Sequence, residues 1–232
     1  MTTATRSSSA RARRAAEGKT HLDRDSIVAA GLSLAARPGT VSISVRELGA
    51  QLGADPTAIY RHFSNKESLM RSLLDELTRM SLERVTAEPE DWKARLTQLS
   101  IATQELYAEY PAIGVEAIVL TTNGPGELDV IELMLDAFSR AGLSGDELVR
   151  HYALLAAHIL SSAGGIARDR SQRGSDVGDP SPWFEGPLLA DPVRHPLIVS
   201  VAPQLRALED RELFLLGVET IIQSAERAAL AG

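Results

Sequence analysis

The sequence predicts an all-α fold, and three observations carry that prediction. Residues 44–66 spell a helix, a tight turn and a second short helix. Beyond residue 64 sustained two-residue alternation is scarce, and Gly and Pro divide the chain into segments of helical length. A small N-terminal helical module followed by a larger helical domain is the expected order.

Residues 1–20 are rich in Ser, Ala, Thr and Arg and have no apolar period. They read as a flexible basic arm carrying Arg11, Arg13, Arg14 and Lys19, either following a polyanion backbone or forming a solvated tail. Ser44 and Glu47 stand in capping-box spacing ahead of Val45, Leu48 and Leu52, which line one face of a helix. Gly53 suits a left-handed C-terminal cap. Asp55-Pro56 then supplies an N-cap with proline at the first helical position.

In the second short helix, Ile59 and Phe63 are four apart and face inward, which leaves Thr57, Ala58 and Arg61 on the outer face. That face is small and basic, so it can approach base edges in a major groove without being held off by bulk. Tyr60, His62 and Lys66 flank it with groups suited to phosphate oxygens, and Ser64 or Asn65 can cap the next helix.

Further helices are expected at 65–86, 91–109, 111–121, 126–141, 145–170, 193–207 and 209–229. Residues 171–192, interrupted by seven Gly and Pro residues, read as a long loop. Its Trp183-Phe184 pair is expected to dock over a pocket entrance or on a partner subunit.

Composition narrows the function. Residues 1–71 hold 11 Lys/Arg against 6 Asp/Glu, whereas the rest holds 13 against 25, so the net charge of −7 belongs to the part that need not touch DNA. The chain has no cysteine, which excludes disulfides, thiolate metal sites and thiol catalysis. No apolar run reaches membrane-spanning length and no apolar signal segment follows the basic N-terminus, so a cytoplasmic location is expected.

Three segments resemble TetR-family transcriptional regulators: Ile27-Val-Ala-Ala-Gly-Leu-Ser-Leu-Ala, Val45-Arg-Glu-Leu-Gly-Ala-Gln-Leu-Gly and Ala58-Ile-Tyr-Arg-His-Phe-Ser-Asn-Lys-Glu-Ser-Leu69. The resemblance implies a three-helix helix-turn-helix DNA-binding domain over 21–66 and an effector-binding and dimerisation domain over 67–232. It puts Thr57, Ala58, Tyr60, Arg61 and His62 on or beside the recognition helix and Lys66 on phosphate. Ser44 and Arg46, at the start of the preceding helix, complete the expected DNA-facing set. Pro56 departs from the family's common polar residue, which shifts base discrimination onto Thr57, Ala58 and Arg61.

The resemblance further implies a small molecule among the middle helices, with its effect reaching the DNA heads through the helix that begins near Lys66. The candidate lining is Met80, Trp92, Leu99, Tyr107, Leu120, Phe138, His151, Leu155 and His158. The acidic larger domain favours a neutral or cationic organic effector. Small residues at Ala153, Ala157, Ser161 and Gly164, and at Gly217, Ser224, Ala225 and Ala228 near Leu213, Leu216 and Ile221, suit two close-packed helices. Paired across a two-fold axis, they would form the four-helix homodimer interface that the family uses, and a palindromic operator follows.

His151 and His158 are seven apart, not the four that a helix-borne metal pair needs, so no metal and no cofactor is expected. No G-x-S-x-G elbow, P-loop, dinucleotide fingerprint or H-E-x-x-H helix is present, so the chain is not expected to be an enzyme. The sequence reading is a homodimeric repressor of double-stranded operator DNA, released by a small organic effector. Its alternatives are a constitutive or activating DNA-binding protein without an effector and, more remotely, an all-α enzyme.

Overall fold

The structure is a computed structural model that describes residues 22–37, 39–173, 186 and 188–231, and among these every regular element is helical. The N-terminal arm and the Trp183-Phe184 pair lie outside the described residues.

Helix α1 (Arg24–Ala35) starts at a capping box in which Asp23 Oδ1 accepts from the Ser26 amide at 2.8 Å and Ser26 Oγ accepts from the Asp23 amide at 3.0 Å. Helix α2 (Val45–Leu52) is capped by Ser44 Oγ on the Glu47 amide at 3.4 Å; the returning bond from Glu47 is not made, so only half of the expected box forms. Gly53 closes α2 at φ 61°, where a side chain would be strained, and Asp55 opens α3 (Pro56–Ile59). After Ile59 the backbone tightens into i−3 bonds from Arg61 and His62 and comes to rest on buried Phe63. Helix α4 (Lys66–Glu83) begins at a second capping box, between Asn65 and Ser68.

The body consists of α5 (Trp92–Glu109), α6 (Pro111–Gly114), a 3-10 turn (Val115–Ile118), α7 (Pro125–Arg140), α8 (Gly145–Arg173), α9 (Pro196–Ser200), α10 (Ala202–Ala207) and α11 (Asp210–Ala231).

Two expected helices are broken. The 111–121 segment winds tightly after Gly114 and unwinds past Ile118, because Gly114 sits against Tyr107 and the Ile118 side chain fills the space that Gly164 leaves open. These tertiary contacts override helical period. The 193–207 segment divides at Val201, where Pro203 cannot continue a helix without losing a backbone bond. The long loop begins later than expected, since α8 continues through 171–173.

One apolar core joins the N-terminal helices to the body. Ile27, Leu34, Ile43, Leu48, Ile59 and Phe63 run without a break into Leu69, Leu73 and Leu77 of α4, then to Leu106, Ile113 and Ala163. A second core, including Leu96, Leu99, Phe138, Leu155, Phe214 and Ile222, is shared by α5, α7, α8 and α11. Phe63 is 2% exposed and lies under the Arg24 guanidinium, 4.3 Å from its ring centroid. Phe63→Ala is therefore expected to cost about 3–5 kcal/mol. It should abolish DNA binding while leaving most of the helical circular dichroism in place.

Candidate nucleic-acid interface and effector cavity

Buried Ile59 and Phe63 anchor the α3 turn from beneath, so the residues between them must face out. Thr57, Arg61 and Tyr60 are exposed, the last at 45%, while Ala58 and His62 are half-buried. Arg46, Arg61 and Lys66 are exposed and make no ion pair among the described residues, which leaves three cations available to a polyanion. Ser44 is half-buried and committed to capping α2, so its hydroxyl serves the fold first.

Thr57 is more constrained than its sequence position suggests. Asp55 Oδ1 accepts from both the Thr57 amide at 2.8 Å and its hydroxyl at 2.6 Å. These two bonds hold the Asp55 carboxyl below its usual range, and Arg61 adds a smaller pull. Thr57 therefore offers its methyl group and an acceptor lone pair outward, not its proton. Arg24, which sequence reasoning missed, ties the turn to both neighbouring helices by donating to the His62 carbonyl at 2.8 Å and to Ser72 Oγ at 2.7 Å. No spacing rule marks it, because the bonds span 38 and 48 residues.

A cavity of about 240 Å³, open on one side, lies between α4, α5, the 115–122 segment, α7 and α8 of the body. Three of the expected residues line it: Leu99, Tyr107 and Leu120. The other six do not. Phe138 and Leu155 are wholly inside the second core, Trp92 packs on that core, and Met80 packs on the first. His151 Nδ1 donates to the Glu147 carbonyl at 2.8 Å and its Nε2 faces Ser224 Oγ at 3.3 Å, while His158 stacks on Phe214 and donates from Nε2 to the Phe214 carbonyl at 2.9 Å. Both histidines are satisfied structural groups joining α8 to α11. The polar lining that sequence reasoning missed is Thr78, Thr103, Thr121, Thr122, Glu127 and Tyr152. Helical spacing gave no signal for these, since they come from four separate stretches of the chain.

A larger cleft, about 470 Å³, separates α1 from α4 and the 122–125 turn, and its walls include Arg24, Asp25, Arg71, Asp75 and Glu76. Its charged walls suit a seam between head and body better than an organic pocket. Asp75 bolts the turn across this seam, accepting from Thr122 Oγ1 at 2.9 Å, the Gly126 amide at 3.2 Å and the Glu127 amide at 3.0 Å. Arg71 of the same helix donates to the Thr121 carbonyl.

The small-residue faces divide into two groups. Ala153, Ala157, Ser161 and Leu216 are exposed. Gly164 is filled by Ile118, Gly217 accommodates the His158 ring, Ser224 meets His151, and Ile221 and Ala225 are buried, so these five are occupied within the subunit. Ala228 packs on the second core, and Leu213 is half-buried.

A helix-turn-helix head with an exposed basic face, continuous in its core with a helical body, defines a helix-turn-helix transcriptional regulator. Residues 27–73 match the family described as bacterial regulatory proteins, tetR family, and residues 86–227 match the tetracyclin repressor-like C-terminal domain. The chain belongs to the tetR family. It is 24% identical over 213 residues to the transcriptional repressor DrrR1 of Streptomyces coeruleorubidus, covering 90% of this chain and 78% of that one. It also resembles in structure a putative transcriptional regulator of Streptomyces coelicolor (TM-score 0.71, 26% identity, 90% of this chain and 98% of that one). The S. coelicolor protein ActR in complex with actinorhodin shares the fold (TM-score 0.73, 19% identity, 90% and 98% covered). These homologues are transcriptional regulators, and the chain is a regulator and not an enzyme. No helix among the described residues is long and apolar enough to cross a membrane.

Proposed function

We propose that the protein is a homodimeric repressor that holds a palindromic operator until a small organic effector enters the α4–α8 cavity. The observation that carries the DNA reading is the exposed Thr57–Arg61 face, backed by Ile59 and Phe63 and flanked by the unpaired cations of Arg46 and Lys66. In this reading Arg61, Thr57 and Ala58 meet base edges, and Tyr60, His62 and Lys66 meet phosphates. The cavity supports an effector, as does the actinorhodin held by ActR on the same fold.

Dimerisation rests on apolar surface with no cover in the subunit. Leu154 and Leu160 of α8 and Leu216 of α11 are 52%, 39% and 57% exposed, and α9–α10 bury no residue at all while exposing Leu197, with Val193 exposed just ahead of them. A two-fold partner would cover α8, α11 and this appendage together, and two heads held by one dimer would meet successive turns of the major groove. The effector acts by linkage, lowering operator affinity through its preference for the conformation with misaligned heads.

Binding to DNA upstream of the chain's own gene, with and without a metabolite extract, tests this function. Release by the extract is expected, whereas indifference supports constitutive binding. Arg61→Ala is expected to weaken binding by about 1–3 kcal/mol at particular operator positions, and Lys66→Ala to weaken it evenly across sequences with a salt slope shallower by about one. Gel-shift titrations over an operator mutant series and a salt series check both; a reversal of the two patterns would exchange the residues' roles.

A further inference from the structure

We infer that the cavity selects its effector by charge, taking an aromatic organic cation over an anion, with the Glu127 carboxylate as the selecting group. The inference rests on the effector reading above and deepens it. Among the residues lining the cavity, the ionisable ones are Glu127, Tyr107 and Tyr152; no Lys, Arg or His is present to compensate an anion. Glu127 Oε2 accepts from the Asn123 amide at 2.6 Å and lies 3.0 Å from Thr122 Oγ1, whose one proton is taken by Asp75 Oδ1 at 2.9 Å, whereas Oε1 has no hydrogen-bond partner among the described residues. A carboxylate oxygen without a partner at the wall of a partly desolvated cavity attracts a donor, and most strongly a charged one.

A second, independent feature points to a bound molecule. Tyr107 is 3% exposed, yet its hydroxyl has no hydrogen-bond partner among the described residues. No fully enclosed side-chain polar atom is left unpaired among those residues, so this hydroxyl reaches open space, and the space beside it is the cavity. Burial, then the charge of Glu127, pushes the Tyr107 and Tyr152 phenols above the ordinary phenol range, which keeps both as neutral donors.

Thr78 and Thr103 spend their hydroxyl protons on the Leu74 and Leu99 carbonyls at 2.9 Å each, so they add no donor for an anion. Apart from Thr121 and Thr122, the remaining wall, including Leu99, Val130, Met134 and Ile159, is apolar. The complementary ligand has a flat apolar body, an ammonium or strong donor for Glu127, and an oxygen acceptor for Tyr107.

Three size-matched fluorescent probes test this in the absence of DNA: 9-(aminomethyl)anthracene, 9-anthracenemethanol and 9-anthracenecarboxylate. The full-length wild-type protein is expected to bind the amine at least about tenfold more tightly than the carboxylate. Glu127→Gln should bring the two close to parity, and Tyr107→Phe should weaken the methanol while sparing the preference for the amine. Ile159→Trp, which fills the cavity, should abolish binding of all three. Equal or tighter binding of the carboxylate by wild-type protein overturns the inference, as does binding of none, or binding that survives Ile159→Trp. The wild-type comparison needs no variant to fold. Charge-blind binding together with extract-driven operator release would sink this inference alone. Charge-selective binding with operator release indifferent to the extract would sink the effector reading instead.

Discussion

Ala157→Arg is expected to convert the protein to a monomer and to lower its operator affinity by at least about 100-fold, near 2.7 kcal/mol. Ala157 is exposed on α8 and shares a face with Ala153, Leu154 and Ser161, and α8 packs on α11, where Leu216 is also exposed. In an isologous interface each copy presents the same patch to the other, so one substitution puts two guanidinium groups against a small-residue seam. Neither would find a counter-ion there, and an unpaired charge buried in an interface typically costs about 3–5 kcal/mol. Because the side chain points to solvent within the subunit, the monomer should stay folded. Sedimentation gives the oligomeric state, circular dichroism the fold, and gel shift the affinity. A folded dimer with unchanged operator binding would place the interface elsewhere.

Asp75→Ala is expected to uncouple the cavity from the head. The 121–127 turn lines the cavity through Thr121, Thr122 and Glu127 on one side, and on the other it is bolted to α4 by Asp75 and Arg71. Gly124 and Gly126 permit that contact: a Cβ on Gly124 would overlap the Asp75 carboxylate, and one on Gly126 would press on the Asp75 backbone carbonyl. The carboxylate also serves as the missing cap of α7, whose own N-cap, Gly124, supplies no side-chain bond.

Removing Asp75 should therefore cost about 2–4 kcal/mol and lower Tm by about 4–16 °C. Asp75→Asn, which keeps one acceptor, should recover part of this. The functional readout is the ratio of effector affinities with and without bound operator, because coupling is reciprocal and that ratio measures it directly. In Asp75→Ala the ratio should approach one, even where the free protein binds effector more weakly because the Glu127 turn has lost its anchor. A lowered Tm with wild-type coupling would leave Asp75 a merely structural residue.

The two halves of the molecule were unequally legible. The DNA-facing turn reads from the sequence because each of its signals is local: Ser44 caps within three residues, Gly53 and Asp55-Pro56 set the turn, and Ile59 and Phe63 point inward by helical spacing. Six of the nine residues expected to line a pocket lie outside the cavity, since hydrophobicity alone does not separate a residue facing a cavity from one facing another side chain. Phe138 and Leu155 have the right chemistry but sit in a packed core, while Glu127 and Thr122 reach the cavity from a turn whose position depends on Asp75, about fifty residues earlier. Gly164 and Gly217 follow the same logic. Their small size suggested an approach between subunits, and it is used within one, by Ile118 and His158.

By itself the sequence determined that the chain is helical, where its head turns, which face of that turn is presented, and to which family it belongs, because caps, turns and helical periods act over a few residues. Tertiary structure alone decided which side chains line the cavity, which partners satisfy the two histidines, and how α4 is tied to the 121–127 turn. These depend on contacts between segments far apart in the chain, such as His151 with Ser224 across 73 positions and Asp75 with Glu127 across 52. No local pattern encodes such contacts, because they exist only once the cores have packed.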